Sequence, residues 1–513
     1  MKMMKKMIYF VVVLSLMVST TSCLDKMPQS AIPIDEAMQS YNDAEQTVTG
    51  IYSMMKSSAL WSGALTLLPD IQADLVYAVD GYSNTYGQHW LWDIRSTNSE
   101  VEAVYASLYS IISNCNFYLE RIDSIIAKQT DDERITILEQ YTGEVYAIRA
   151  LCYSELLKIY CKAYNPATAD SELGVVLRKG YSTPERSIRS SLKASYEFVV
   201  EDLRKAEEIL DPDYDVYSSY YMTNAVAHAL HARVALYMQD WESAIEHSSA
   251  VIDHEEGMYS LSATNQMYTA EMSFFDYMWN YDLATECIWR VGFTPTSMGG
   301  ALGQVFLNFN NDYTYYYPDY VPAQWVLDLY TSTPGDLRYN SYFATLSTGY
   351  DHGLQWPLLV KYYGNQEFIS NYIYHVSMPK PFRLAEQYLI RAEAYCRKQN
   401  PDFSKASKDI TTLRESRLQS GGGLSLTADN FIEQIANERV RELYMEGHRL
   451  QDIKRWGSLY RNGEGFTRTP QKSSLAEGSS LSIKADDPRL VWPIPQHELE
   501  APGSEVAPNE SNK

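Results

Sequence analysis

Two distant segments carry the same helical-hairpin signature: HARVALYMQDWESAIEHSSAVI (231–252) and IRAEAYCRKQNPDFSKASKDITTL (390–413). Each runs from a small-residue helix through a tyrosine to an Asp-aromatic-x-x-Ala turn. In the first the turn is Asp240, Trp241 and Ala244; in the second it is Asp402, Phe403 and Ala406. Small residues let the first helix approach the second closely, and the aromatic after the turn plugs the gap between them. A hairpin of this kind cannot bury its apolar face alone, so neighbouring hairpins must stack on it. The fold class that follows is all-α: a tetratricopeptide-like scaffold of helical hairpins with large loop-rich insertions and a few short strands.

Helical periodicity elsewhere agrees. Residues 41–57, 99–127 and 132–163 repeat apolar side chains three and four apart, as in the stripe Val145, Ile148, Cys152, Leu156 and Ile159. Residues 142–163 with 190–210 read as a third hairpin with a long insert, and 428–446 with 448–459 as a fourth, broken at Gly447. Between 255 and 380 the periodicity dissolves into aromatics, Gly, Pro and short strand-like runs such as CIWRVGF (287–293). The expected organisation is a helical region over 41–254, a loop- and aromatic-rich insertion over 255–380, and a second helical region with an irregular tail over 381–513. These parts are expected to form one structural unit.

The N-terminus lies outside that fold. Lys2, Lys5 and Lys6 precede an apolar run from Ile8 to Val18, and small residues lead to Cys23. Residues 1–22 read as a secretory signal, too short to span a bilayer. The cysteine where the signal ends points to lipidation at Cys23, against the alternative of an ordinary signal with a chance cysteine. Residues 23–40 would then be an extended tether. Removing residues 1–22 takes away three lysines and no acids, so the net charge moves from −22 to −25. That charge disfavours nucleic acid and anionic lipid as partners. The remaining cysteines, 115, 152, 161, 287 and 396, form no CxxC or Cys/His cluster, and buried free thiols are expected.

NERVRELYMEGHRLQDIKRWG (437–457) concentrates arginine, glutamate and a histidine, and asks for a catalytic or metal reading. Yet Ala436, Val440, Leu443, Gly447, Leu450 and Ile453 recur at helical spacing, which marks a core-facing stripe. Glu438 is in reach of Arg441, Glu446 of Arg449, and His448 of Asp452. No HExxH spacing is present and no metal is expected here. The charges are expected on the helix exterior and in its packing against neighbours, as a structural ion-pair network and not an active centre.

The same stretch, ERVRELYMEGHRLQDIKRWG, resembles the C-terminal signature of the SusD/RagB family of nutrient-binding lipoproteins. RLAEQYLIRAEAYCR (383–397), LVWPIPQHELE (490–500), PGDLR (334–338) and the mature start at Cys23 resemble that family's motifs in the same order. The tail EVAPNESNK departs from the family's usual ending. The resemblance implies an α-helical, non-enzymatic protein without a cofactor, lipid-anchored on the outer surface of Bacteroidetes. It also implies a partner, a SusC-like TonB-dependent transporter, to which captured glycans (in some members peptides) are delivered.

Glycans are held by stacking sugar C–H faces on aromatic rings, with amides and carboxylates on the hydroxyls. The chain has 42 tyrosines against 14 phenylalanines, and two stretches supply rings and polar groups together. DGYSNTYGQHWLWDIRSTN (80–98) offers Tyr82, Tyr86, Trp90, Trp92, Asp93 and Asn98. If it is extended, Trp90 and Trp92 point to one side and form a platform. NFNNDYTYYYPDY (308–320) offers Tyr313, Tyr315, Tyr316 and Tyr317. YYGNQEFISNYIYH (362–375) is a third candidate. Two other functions stay open on the sequence alone: a tetratricopeptide-type peptide binder, and an α-helical glycosidase with two catalytic carboxylates.

Overall fold

Asp240 and Asp402 occupy equivalent places in two helical hairpins, each capping the second helix through its side chain. Asp240 accepts from the Ser243 N–H and Asp402 from the Lys405 N–H; such caps contribute about 1 kcal/mol each. The computed structural model describes residues 34, 37–80, 83–181, 186–254, 257–309, 314–350, 353–468 and 481–512. Cys23, Tyr82 and Tyr313 lie outside these.

The helices that frame the molecule are α1 (Tyr41–Met54), α2 (Ala64–Gln72), the single turn α3 (Gly87–Trp90), α4 (Ser99–Leu119), α5 (Asp132–Tyr160) and α6 (Leu192–Ile209). They continue with α7 (Asn224–Met238), α8 (Trp241–Ile252), α9 (Leu384–Arg397), α10 (Phe403–Glu415), α11 (Phe431–Glu442) and α12 (Arg449–Trp456). The pairs α5/α6, α7/α8 and α9/α10 are antiparallel hairpins stacked in order, α6 against α7 and α8 against α9. Ala225, Ala229 and Ala232 of α7 and Ala385 and Ala392 of α9 are buried, which permits this close approach. Arg397 at the end of α9 lies over the Trp241 ring at 4.3 Å, well inside the roughly 6 Å reach of a cation–π contact. All five described cysteines are buried free thiols. Among the described residues, no helix is long and apolar enough to cross a membrane.

Gly447 separates α11 from α12, which meet through the Arg439–Asp452 ion pair and not as a closely packed fourth hairpin. α12 packs more closely against α2. Gly447 takes φ +83, and a Cβ there would sit 2.6 Å from the Leu65 carbonyl, so the turn needs a glycine on both counts. The Asp70 carboxylate of α2 accepts from the backbone N–H of Gly447 and of Arg449, both at 2.9 Å, and so caps α12 from across the chain.

The charge-dense stretch lies inside the molecule, which corrects the expectation of an exterior face. Glu438, Glu442, Arg449, Asp452 and Arg455 are all buried. The Glu438–Arg441 pair forms (3.1 Å). Glu446 instead meets Lys361 and Arg383, and Asp452 meets Arg439 and Arg455 rather than His448. The reason is partners from distant segments: Arg338 of the PGDLR motif reaches Asp336, Glu438 and Glu442, while Arg383 and Arg417 share Glu286 and Glu442.

Short two-stranded sheets form within the insertion and tie it to the chain on either side, with one more in the C-terminal tail. β1 (Val76–Ala78) pairs with β3 (Tyr320–Pro322) and β2 (Cys287–Trp289) with β6 (Phe382–Arg383). β4 (Phe343–Ser347) pairs with β5 (Gln355–Leu359) and β7 (Phe466–Arg468) with β8 (Leu481–Ile483), all antiparallel.

Candidate ligand site

The β1/β3 ladder brings two distant loops to one place. Its register pairs Ala78 with Tyr320, so the chain leaving β1 and the chain entering β3 emerge at the same end. The Val79 N–H donates to the Asp319 carbonyl (2.9 Å). The Asp319 carboxylate accepts from the Asn84 amide (2.9 Å) and the Thr85 N–H (3.5 Å). The Tyr320 hydroxyl donates to the Thr85 carbonyl at 2.6 Å. The stretches 80–98 and 308–320 are therefore clamped together, with half-buried Tyr86 on one and Tyr315, Tyr316 and Tyr317 on the other.

The aromatic surface extends beyond these. Tyr316 exchanges backbone bonds with the turn after β4, through Ser347 and Gly349. Tyr317 packs edge-on to Tyr350 at 5.4 Å. A Cβ at Gly349 would fall 1.9 Å from the Tyr317 ring, so that ring can lie over the turn only because residue 349 is glycine. On the other side Tyr316 faces Phe309 (4.6 Å), and Phe309 lies 5.3 Å from His375 and 6.2 Å from Tyr374. The third candidate stretch, 362–375, thus joins the other two. Tyr315 and Tyr317 are 39% and 38% exposed, enough to offer a ring face to a ligand.

Burial, with Tyr363 alongside, pushes the Tyr316 phenol up to about 12. Burial, with Asp319 and Asp80 nearby, does the same for Tyr350. Both hydroxyls stay neutral at ordinary pH; that of Tyr350 donates to the Pro318 carbonyl (3.1 Å), which leaves its oxygen free to accept. Rings with neutral hydroxyls at their tips, beside an amide and a carboxylate, suit a polyhydroxylated ligand with apolar faces.

Trp90 and Trp92 do not form the platform expected of them. They are 1% and 6% exposed. The segment is not extended: Trp90 ends α3, and Trp92 takes φ +57. Their indole N–H groups donate inward to the carbonyls of Val76 (3.4 Å) and Gln72 (2.8 Å). The Arg468 guanidinium is stacked over both rings, at 4.8 and 4.1 Å. These tryptophans pin the base of the loop. Asn98 is also engaged locally, capping α4 by accepting from Glu100 and Val101. Asp93 is exposed and pairs with Arg95 at 3.2 Å. Sequence reasoning passed over Tyr350, Asn84 and Asp319; only Asp319, the acid directly before a strand in a tyrosine run, left a visible trace.

A separate hollow of about 360 Å³ opens between α4 and the 176–181 loop, lined by Tyr105, Tyr109, Tyr181 and Glu498 among others. Its Tyr109 hydroxyl already donates to the Val176 carbonyl (2.9 Å).

Comparison with known proteins bears on the fold. Residues 336–504 match the family model described as the SusD family, and residues 23–236 match one described as starch-binding associating with outer membrane. A SusD-like protein of Formosa agariphila, P25, is 25% identical over 499 residues, covering 88% of this chain and 90% of its own. A SusD superfamily protein of Bacteroides thetaiotaomicron superposes with a TM-score of 0.75 at 21% identity, covering 92% of this chain and 99% of that one. A SusD-like carbohydrate binding protein of Bacteroides vulgatus gives 0.67 at 19% identity, covering 87% and 89%.

Proposed function

Because the chain belongs to the SusD/RagB family, we propose that it is a non-catalytic carbohydrate-binding lipoprotein at the outer membrane. In this reading a lipid on Cys23 anchors it, and it delivers oligosaccharides to a SusC-like TonB-dependent transporter. The description of the N-terminal family model, starch-binding and associated with the outer membrane, supports the location and the ligand class.

The observation that carries the binding reading is the convergence of three tyrosine-rich loops around Tyr86, Tyr315, Tyr316, Tyr317 and Tyr350, braced by Asp319. The net charge of −25 left after residues 1–22 are removed (40 Lys+Arg against 65 Asp+Glu) disfavours polyanionic glycans and favours a neutral oligosaccharide.

A calorimetric screen of neutral oligosaccharides against residues 24–513 tests this, with released reducing ends assayed in parallel. We expect saturable binding of one glycan class, no release of reducing ends, and loss of affinity in Tyr317→Ala. Turnover would establish the glycosidase reading, and binding of peptides alone the peptide-carrier reading. Affinity that falls in Tyr181→Ala and not in Tyr317→Ala would move the site to the hollow beside α4.

A further inference from the structure

Three histidines and a glutamate from three consecutive helices meet on the outer side of the stacked hairpins. α6 supplies Glu207, α7 supplies His228 and His231 one turn apart, and α8 supplies His247. The His231 Nδ1 lies 2.8 Å from Glu207 Oε1, and the Nδ1 atoms of His228 and His247 each lie 3.5 Å from that same oxygen. The Nδ1 atoms of His228 and His247 are 2.8 Å apart. One ligand atom each from Glu207, His231 and His247 can be chosen so that all lie within 4.8 Å of one another. Side-chain exposure is 5% for His231, 10% for His247, 13% for Glu207 and 24% for His228, so the cluster is sheltered but reachable from one side.

Hydrogen bonding alone accounts poorly for this arrangement. Three ring nitrogens approach a single carboxylate oxygen, which has two lone pairs, and the close Nδ1–Nδ1 contact can hold only one proton between its two atoms. Ligand atoms bound about 2.0–2.1 Å from a common tetrahedral ion are separated by roughly 3.3 Å, and the separations here, 2.8 to 3.5 Å, bracket that distance. Glu197, Glu201, Asp240 and Glu246 line the hollow over Glu207, His231 and His247, an acidic approach for a cation, with Arg204 the basic residue there.

We propose that Glu207, His231 and His247, with His228 completing the set, bind one divalent transition-metal ion of the zinc class. Imidazole nitrogens with one carboxylate select Zn²⁺, and by the same chemistry Co²⁺ or Ni²⁺, over calcium and magnesium, which require oxygen cages. The ion ties α6, the end of one hairpin, to both helices of the next. Its role is to staple the hairpin stack, independent of the glycan surface.

The test uses the mature chain, purified without a histidine tag and stripped with a chelator. Titration with Zn²⁺ should show one equivalent bound at micromolar Kd or tighter, unaffected by millimolar Ca²⁺ or Mg²⁺. Co²⁺ should give the intense visible absorption of a tetrahedral site, and Zn²⁺ should raise the melting temperature. His247→Gln should weaken Zn²⁺ binding at least a hundredfold and abolish the cobalt spectrum. His228→Gln, at the most exposed position, keeps the test valid if His247→Gln fails to fold, and should weaken binding at least tenfold. Uptake below one equivalent, Kd above the millimolar range, preference for Ca²⁺, or a cobalt spectrum unchanged in both variants would overturn the proposal.

Discussion

Glu442 lies between 2.9 and 3.1 Å from guanidinium groups of Arg338, Arg383 and Arg417, and none of the four is open to solvent. Burial alone would raise the carboxyls in this network. Arg417, Arg383 and Arg338 hold Glu442 far below the usual carboxylate range, while Arg338, Arg441 and Arg414 hold Glu438 down to about 2. Glu442→Gln would leave three buried arginines short of a counter-charge, and breaking such a network costs about 3–5 kcal/mol. Urea unfolding should register that loss. The pH dependence has a definite sign, since the folded carboxyl of Glu438 titrates below its ordinary value of 4.5. Its contribution is complete above pH 4.5 and is lost as pH falls from there toward about 2. Sequence spacing revealed the Glu438–Arg441 pair, because both lie on one helix. It could not reveal that Arg338 and Arg383 arrive from 100 and 59 residues away, which turns an apparent helix exterior into an interior.

The tryptophan loop shows the same limit at the level of an element. The starts of α1, α4, α5 and α6 were legible, because their apolar periodicity is long and their caps lie in the sequence, but the run expected over 99–127 breaks after Leu119 and resumes as a short helix at Ile122–Ile126. Residues 80–98 have no period; one helical turn and a positive φ at Trp92 rotate both indoles inward, and Arg468, nearly four hundred residues on, covers them. Tyrosine density marked the second candidate loop more usefully, since a phenol keeps its tip near solvent even when its ring packs. The two sets of residues should therefore respond oppositely. Trp90→Ala empties a core site and should cost about 3–5 kcal/mol of stability, with glycan affinity unchanged in the folded fraction. Tyr317→Ala should leave the melting temperature nearly constant and cost about 1–3 kcal/mol of binding, a weakening of about tenfold or more. Melting curves and calorimetry on both variants separate the assignments, and a Tyr317→Ala protein that loses stability instead would return that ring to the core.

At the scale of the whole molecule the two ends of the chain are tied together. Asp74 holds Arg449 at 2.9 Å, the Trp492 indole donates to Gln72 (2.8 Å), and Arg189 reaches the Ala507 carbonyl and Asn509. The C-terminal segment thus braces the helices that follow the tether, so a pull on the N-terminus is resisted by the molecule's own core. Met38 is already buried in the core, so the free tether is the fifteen residues from Cys23 to Ala37, which could reach at most roughly 50 Å if fully extended, enough to hold the folded body clear of a bilayer surface. Two acyl chains on Cys23 would give lasting attachment, where a single chain is marginal. Cys23→Ala should move the protein from the outer-membrane fraction to the soluble fraction, with melting temperature and glycan affinity as in the parent, because the anchor and the ligand surface share no residue. Co-purification with an outer-membrane barrel in mild detergent should also fall, to the extent that the tether raises the local concentration of the two partners. A Cys23→Ala protein that stays in the outer-membrane fraction after a high-salt wash would show that protein contacts, and not a lipid, hold it there.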